Sequence, residues 1–425
     1  MRIGIIGAGF GGMAAGYYLA KNGLDVTIFE SNGRPGGLAI GFKEPRWKWS
    51  LEQHYHHWFT SDWSIRNLAK EINHPVLLKR PITSTYIDGG IRQLDSPLSL
   101  LRFNKLSLFD RLRMGSVLTY LKLTPCWKSL EGISARKFIS KYMGKESWNL
   151  LWEPLFSGKF GAYSEEISAS WFWARVHKRG SSLGYPDGGF LSFAENLAKH
   201  IEDSGGKILY NESVESIYPQ NRSLAIKTTK GAYNFDKVIC TLPTPLFLKV
   251  ARTLPDSYVK SLINLKGIGA INLVLSLKKK FLEDGTYWLN MNKKEFPFLS
   301  LVEHTNFMDK KYYNEENIVY VGNYLEHSHD YFKKNDEELF FEFFPYLKKI
   351  NPKFSEKWVN KYYLFKAYFA QPIFPLNYSK VIPGFKTPVE GLYLSNIQQV
   401  YPWDRGTNYA VELGQKVANM ILELS

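Results

Sequence analysis

The opening stretch "RIGIIGAGFGGMAAGYYLAKNGLDVTIFE" (residues 2–30) leaves few folds open. Ile3, Ile5 and Ile6 predict a short buried strand. Gly7, Gly9 and Gly12 follow as G-x-G-x-x-G, at the turn into a helix expected over 13–21 and ended by Asn22-Gly23. "DVTIFE" predicts a second, parallel strand that ends on Glu30. Each glycine has a physical reason. Gly7 permits the tight turn, Gly9 lets a pyrophosphate approach backbone N–H groups at a helix N-terminus, and Gly12 lets helix and strand pack closely. Ala8, Phe10 and Gly11 belong to the same loop and are cofactor-side candidates with them. Glu30 follows Gly12 by 18 positions, where a carboxylate can accept both hydroxyls of a ribose. A lone G-x-G-x-x-G is weak, and a glycine-rich turn without a ligand is the bland alternative. Strand, helix and strand-terminal acid in this order point instead to a dinucleotide.

The same stretch contains an uncharged run, Ile3 to Ala20, of near membrane-spanning length. Its six glycines (4, 7, 9, 11, 12 and 16), and the lack of a basic leader or cleavage site, argue against a spanning helix or a signal peptide.

After Glu30 comes "ESNGRPGG", with Arg34, Gly36 and Gly37 just beyond the acid. This resembles the E-x-x-x-R-x-G-G extension of the FAD-dependent amine-oxidase-like flavoproteins. That superfamily includes protoporphyrinogen oxidases, phytoene desaturases and, more distantly, UDP-galactopyranose mutases. The resemblance implies FAD as the cofactor, glycines that let the backbone lie against its phosphates, and Arg34 as a positive charge beside them. Ser31 and Leu38 complete this part of the expected cofactor set.

Three later stretches also resemble the superfamily. Residues 185–217 read as turn, helix, Gly-Gly stop and strand, and the resemblance places Val214 against the adenine through backbone. "FDKVICTLPTPLF" (235–247) reads as a strand and a Pro-bounded loop returning towards the substrate. "EGLYLSNIQQVYPWDRGTNYAVELGQKVANMILEL" (390–424) reads as strand, loop and final helix. The family implies that this helix starts near Gly406, Thr407 and Asn408 with its positive end towards the flavin pyrimidine. Many relatives carry Gly-Asp after the last strand, where the Asp binds ribitol. Here the positions are Asn396-Ile397, so Asn396 or backbone is expected to replace it.

The expected fold is therefore α/β: a Rossmann-like FAD-binding domain of glutathione-reductase type with an inserted α+β substrate domain. Its expected segments are 1–60, 186–248 and 386–425 for the cofactor, and 61–185 with 249–385 for the substrate. "GAINLVLSLKKKF" (269–281, within the second) predicts a strand of an antiparallel sheet.

"RWKWSLEQHYHHWF" (46–59) holds three of the nine histidines, His54, His56 and His57. Period two predicts a half-buried strand here, with His54, His56 and Trp58 on one face. Three roles are open. A metal site lacks an HExxH or an acidic cluster, so no metal is expected. Structural histidines are the second reading. Contact with flavin or substrate is the third, led by His54 and His57 as catalytic candidates that donate a hydrogen bond or shuttle a proton near neutral pH.

Composition constrains the partners. Lys+Arg exceed Asp+Glu by 54 to 40, a formal charge of +14 that favours acidic partners. No zinc pattern, RNA-binding motif or basic tail appears, so nucleic acid is not expected. Residues 101–128, "LRFNKLSLFDRLRMGSVLTYLKLTPCWK", carry six basic residues against one acid among leucines and aromatics. That reads either as a substrate-domain helix with a solvated basic side or as an anionic membrane-surface helix. Two distant cysteines, Cys126 and Cys240, exclude a disulfide framework and suit a reducing cytoplasm, with peripheral membrane docking as the further expectation.

The expected function is an FAD-dependent oxidoreductase of oxidase or desaturase type, removing hydride equivalents from a bulky, partly apolar small-molecule substrate. The alternative is a non-redox, flavin-dependent sugar-nucleotide mutase. "HYHHWFT" (54–60) is similar to the H-x-x-H-T stretch of UDP-galactopyranose mutases, and Tyr401 falls near an aromatic of their C-terminal motif. A flavin-binding protein without turnover is the third class.

Overall fold

The computed structural model describes residues 1–424; the last residue of the expected 386–425 segment lies outside them. Five parallel strands form one sheet in the order Lys207–Leu209, Asp25–Phe29, Arg2–Ile6, Lys237–Cys240 and Leu392–Leu394. They come from three distant parts of the chain. Their near-continuous Ile, Val and Leu content suits a parallel sheet covered on both faces. The helix Phe10–Lys21 leaves the first strand and packs against the final helix, Thr407–Leu422. Glycine permits this approach: a Cβ on Gly414 would lie 2.2 Å from the Gly11 carbonyl oxygen. The first helix begins three residues earlier than its apolar periodicity suggested. Its glycine-rich first turn is already helical, with Gly9 as N-cap and the chain reversing at Gly23 (φ 80°).

A second, mixed sheet of seven strands stands opposite. Its order is Val359–Pro372, Gly267–Leu277, Asn317–Leu325, Ser300–Glu303, Thr286–Met291, Ile82–Ile87 and Gly90–Gln93. Gly267–Leu277 is antiparallel to both neighbours, as its sequence predicted, and all but its first residue are buried. Helices Pro97–Leu101, Leu108–Leu123, Ala135–Tyr142, Glu153–Phe160 and Ala169–Lys178 build a separate apolar cluster beside it. The class is thus α/β with parallel and mixed sheets, as expected.

Two local expectations fail. The strand read around Val214 is two strands. Lys207–Leu209 joins the parallel sheet, whereas Val214–Gln220 opens a small antiparallel sheet with Ser223–Thr228 and Ala232–Phe235. The histidine segment is not a continuous strand either. Only Leu51–Glu52 and Trp58–Phe59 pair, and residues 53–57 run as irregular backbone. His54, Tyr55 and His57 bond to different elements and His56 back to the His54 carbonyl, partners that a regular alternation of faces does not supply.

The 101–128 stretch folds mostly into helix, but its charges are less free than its composition suggested. Arg111 and Arg113 donate to the Leu101, Lys141 and Tyr142 carbonyls, Lys122 to those of His177 and Arg179, and Lys105 pairs with Asp88. Part of its apolar content is exposed: Leu101, Leu108, Phe109, Leu112 and Leu123 face solvent, as does Leu98 just before it, while Phe103, Leu106, Met114 and Leu121 are buried. Among the described residues no helix is long and apolar enough to cross a membrane.

Candidate functional site

The N-terminal glycine loop and the Gly36-Gly37 loop lie against each other. Gly9 and Gly36 form a parallel bridge, the Gly36 amide donates to the Ala8 carbonyl at 2.9 Å, and a Cβ on Gly37 (φ 57°) would sit 2.9 Å from the Gly9 Cα. Any side chain there would fill the space between the loops. Gly7 takes φ 101°, and a Cβ on Gly12 would stand 2.0 Å from the Gly7 carbonyl oxygen. No side chain caps the Phe10–Lys21 helix, so its first N–H groups point into the cradle with the positive end of the helix dipole.

Glu30 sits at the rim, buried, just past the second strand. Its carboxylate accepts from the Ala8 and Asn32 amides at 2.9 and 2.8 Å and from the Ser31 hydroxyl at 3.2 Å. Arg34 is exposed and donates to the Gly41 carbonyl at 3.3 Å. The glycine loops, the uncapped helix end and the Glu30 carboxylate are of the kind that suits the diphosphate and a ribose of FAD. Gly7, Gly9, Gly11, Gly12, Glu30, Arg34, Gly36 and Gly37 could hold it, with Ala8, Phe10, Ser31 and Leu38 alongside.

The later cofactor candidates divide. Thr407 and Asn408 begin the last helix, with Gly406 as N-cap and no side-chain cap, so their backbone presents a helix N-terminus as expected. Their side chains do other work: Thr407 Oγ1 accepts from Trp58 Nε1 at 2.9 Å, and Asn408 Oδ1 accepts from the Ile65 amide at 3.1 Å. Asn396 does not present a free amide. Its Oδ1 accepts from the Gln398 amide, and its Nδ2 donates to the Leu242 carbonyl and Thr244 Oγ1. This internal capping removes it as the ribitol-binding side chain. Val214 is half-buried, and the loop before it runs along the cradle rim: the Glu212 amide donates to the Glu30 carbonyl, the Asn211 amide to that of Asn32.

A cavity adjoins the cradle at Leu38. It is lined also by His54, Tyr55 and His56, by Ala270 and Asn272 of the long central strand, and by Asn323, Tyr324, Ala370 and Arg405. His54 Nδ1 accepts from Asn272 Nδ2 at 2.5 Å, while Asn272 Oδ1 has no partner among the described residues. His56 Nδ1 bonds the His54 carbonyl at 2.5 Å. His57 turns away from the cavity, to Tyr287 Oη at 3.2 Å and the ring of Trp288. Of the two catalytic candidates, the geometry brings His54 to the cavity and leaves His57 in an aromatic cluster behind it. His56, assigned no role from its spacing, takes that place.

Burial lowers all three imidazoles, His54 and His57 to about 3 and His56 to about 4, with the Arg405 guanidinium adding to the effect. They are neutral at physiological pH. In that form the rings can give a hydrogen bond, the first of the two roles expected of them. The ring nitrogens diverge to separate partners, and among the described residues no group of three or more His, Cys, Asp or Glu side chains converges.

Two residues before His54 stands Glu52, buried. It accepts from Tyr185 Oη at 2.9 and 3.1 Å and from the Phe190 amide at 3.1 Å, and burial raises its carboxyl to about 8.

Several of these residues left little trace in the sequence. Asn272 is a buried asparagine in an otherwise apolar strand, a signal that was available. Asp404 and Arg405 stand directly before Gly406. Lys159 and Arg175, which join them, have no local pattern at all.

The cradle and the adjoining cavity define a flavoprotein. Residues 10–422 match the model of the flavin containing amine oxidoreductase family, and the chain belongs to that family, with FAD as its cofactor. It is 26% identical over 298 residues to coproporphyrinogen III oxidase of Staphylococcus aureus, an alignment that covers 58% of this chain and 61% of that protein. With mitochondrial protoporphyrinogen oxidase of Nicotiana tabacum it shares 28% over 175 residues, 39% of this chain and 34% of the relative. The chain thus spans less than two thirds of the length of these relatives. Among solved structures, a putative protoporphyrinogen oxidase from Exiguobacterium sp. 255-15 superposes with a TM-score of 0.76 at 18% identity, covering 100% of this chain and 99% of that one. Reduced UDP-galactopyranose mutase gives 0.78 at 13% identity, covering 100% and 94%. At such identities both show the fold alone.

Proposed function

We propose that the chain is an FAD-dependent oxidoreductase that removes hydride equivalents from a bulky, partly apolar substrate. The observation that carries this reading is the adjacency at Leu38: this residue directly follows the Gly36-Gly37 loop and lines a cavity with Tyr55 and with Ala270, Asn272 and Tyr324 of the opposite sheet. FAD, when bound, accepts the hydride. The chain's own residues bind and orient. Tyr55 packs edge-on to Trp288 and Tyr320, with centroids 4.8 and 5.9 Å apart, and these rings exclude water. His54, held by Asn272, offers its other ring nitrogen as a neutral donor. Segments 1–60, 186–248 and 386–425 are the proposed cofactor side, and 61–185 with 249–385 the substrate side. Relatives named as porphyrinogen oxidases and as 4,4'-diapophytoene desaturase of Staphylococcus aureus favour a large apolar skeleton.

The exposed leucines and Phe109 of helices Pro97–Leu101 and Leu108–Leu123, beside Arg102 and Lys105, support reversible docking on an anionic membrane surface as part of the same reading.

The test is anaerobic mixing of the FAD-loaded protein with coproporphyrinogen III and, separately, with 4,4'-diapophytoene, followed by oxygen or a quinone. Bleaching of the flavin absorbance by either, and its return with an acceptor, is the expected result. A flavin that neither substrate bleaches, and that after photoreduction no acceptor reoxidises, would overturn the oxidoreductase reading.

A further inference from the structure

Four charged side chains meet beside the cavity. Lys159, on Glu153–Phe160, and Arg175, on Ala169–Lys178, both reach Asp404 Oδ2, at 3.2 and 2.5 Å. The other oxygen of Asp404 accepts from Trp171 Nε1 at 3.1 Å and Gln371 Nε2 at 3.3 Å. Arg405 is next in the chain and lines the cavity. Its Nε donates to Gln371 Oε1 at 2.9 Å, and its guanidinium lies 5.0 Å from the ring centre of Tyr324. Lys159 Nζ lies 5.5 Å from the same ring and 4.7 Å from that of Trp171.

The charges here do not balance. Lys159 and Arg175 share the one carboxylate of Asp404, and Arg405 is bonded to no carboxylate among the described residues. The Lys159 side chain is 11% exposed and Arg175 39%, so the cluster runs from a half-open lip to a buried floor. Burial opposes the charge of Asp404, yet Lys159 and Arg175 hold its carboxyl well below the usual range. An ion-pair brace between helices would explain Lys159, Arg175 and Asp404. It does not explain Arg405, which has an amide oxygen and a ring for partners and lines the cavity. A desolvated guanidinium without an acid is stable where a ligand brings the acid.

We infer that Arg405, Lys159 and Arg175 form an oxyanion subsite of the cavity that takes a doubly charged group of the substrate, either a phosphate ester or a pair of carboxylates. The inference rests on the reading of this cavity as the substrate site. Three basic side chains against one carboxylate suit a dianion, whose charge would favour the protonated Lys159 that burial disfavours, and Tyr324 between Arg405 and Lys159 would seat the apolar part beside it. Asp404 is the positioning residue that fixes Lys159 and Arg175 and, as a like charge, limits the affinity.

The test is calorimetric and thermal-shift titration of the FAD-loaded protein, in which the cofactor blocks its own diphosphate cradle. The probes are inorganic pyrophosphate, inorganic phosphate and malonate, with sodium chloride at matched ionic strength as control. Saturable binding is expected, with a melting temperature that rises with the probe and not with chloride. Tighter binding of the phosphates than of malonate assigns a phosphate ester; the reverse assigns carboxylates. Arg405→Met and Lys159→Met should each weaken binding about tenfold, the loss of one charge-assisted hydrogen bond. Asp404→Asn should tighten it, and the probe should restore the melting temperature that variant loses. A brace alone predicts lower stability in Asp404→Asn with no gain in affinity. No binding beyond chloride, or binding unchanged in both Met variants, overturns the subsite. Because no turnover is measured, a protein that binds pyrophosphate but is never reduced by substrate retires the oxidoreductase reading alone.

Discussion

The glycine cradle and the cavity beside it adjoin at Leu38 but are built in opposite ways. The cradle is made of backbone: two glycine loops in contact, a helix N-terminus and one strand-end carboxylate, most of it within residues 7–37. The cavity is made of side chains delivered singly, from a loop (His54, His56), two strands (Asn272, Tyr324) and the residue before the last helix (Arg405). Backbone sites depend on the absence of Cβ atoms and tolerate almost no substitution. Side-chain sites depend on placement and lose one interaction at a time.

That contrast can be broken or sharpened by experiment. The largest effect is expected at Gly12. Valine there drives a side chain into the Gly7 carbonyl, which a Cβ alone would meet at 2.0 Å, and overpacking by more than a methylene costs ~3 kcal/mol or more. Little soluble, flavin-loaded protein should be recovered; a yellow, cooperatively melting Gly12→Val would contradict the cradle geometry.

Glu30→Arg comes next. The protein should fold, because the carboxylate's own partners lie in loops at the rim, but it should lose FAD. Removing two charge-assisted acceptors lowers affinity about a hundredfold, read as the ratio of flavin to protein absorbance after dialysis. Full occupancy in this variant would place the ribose elsewhere.

On the cavity side the expected changes are smaller. His54→Ala should retain FAD and shift its midpoint potential by about 30 mV, one hydrogen bond for a two-electron couple. His57→Ala, behind the cavity, should lower the melting temperature and leave the potential in place. Equal potentials in the two variants would remove His54 from the cofactor's surroundings.

Glu52 gives a pH signature. Its folded carboxyl is raised to about 8 by burial, above the ordinary value of 4.5, so over that interval the unfolded chain has released a proton that the folded one keeps. Stability attributable to Glu52 is therefore present at low pH and falls as pH rises from about 4.5 to about 8. Glu52→Gln should flatten that slope in denaturant midpoints measured across this range; an unchanged slope would mean the group ionises freely in the folded protein.

The smallest effect on stability is expected at the exposed apolar face. Phe109→Ser and Leu112→Ser should leave the melting temperature within the equivalent of about 0.5 kcal/mol, since both side chains face solvent. Co-sedimentation with anionic vesicles should nevertheless fall, and wild-type binding should weaken with salt. Wild type that ignores anionic vesicles at low salt ends the docking proposal.

What the amino-acid sequence determined by itself is the part whose physics is local. Strand, glycine turn, helix and strand-end acid must occur within about thirty residues for the cradle to form, so spacing alone exposes Gly7, Gly9, Gly12 and Glu30. The Gly267–Leu277 strand and the last helix were legible for the same reason: each carries its period and its boundaries within itself. Tertiary structure alone decided the rest. Alternation in 46–59 suggested a strand, but the bonds from His54 to Asn272 and from His57 to Tyr287 pull that backbone into a loop and send the two histidines to different places. Asn396 matched a family position and was claimed instead by Leu242 and Thr244. Lys159 meets Arg175 at the Asp404 carboxylate and Arg405, 246 positions away, at the Tyr324 ring. No sequence period encodes such a meeting, because charges act through space at a few ångströms, and only the packed fold sets those distances.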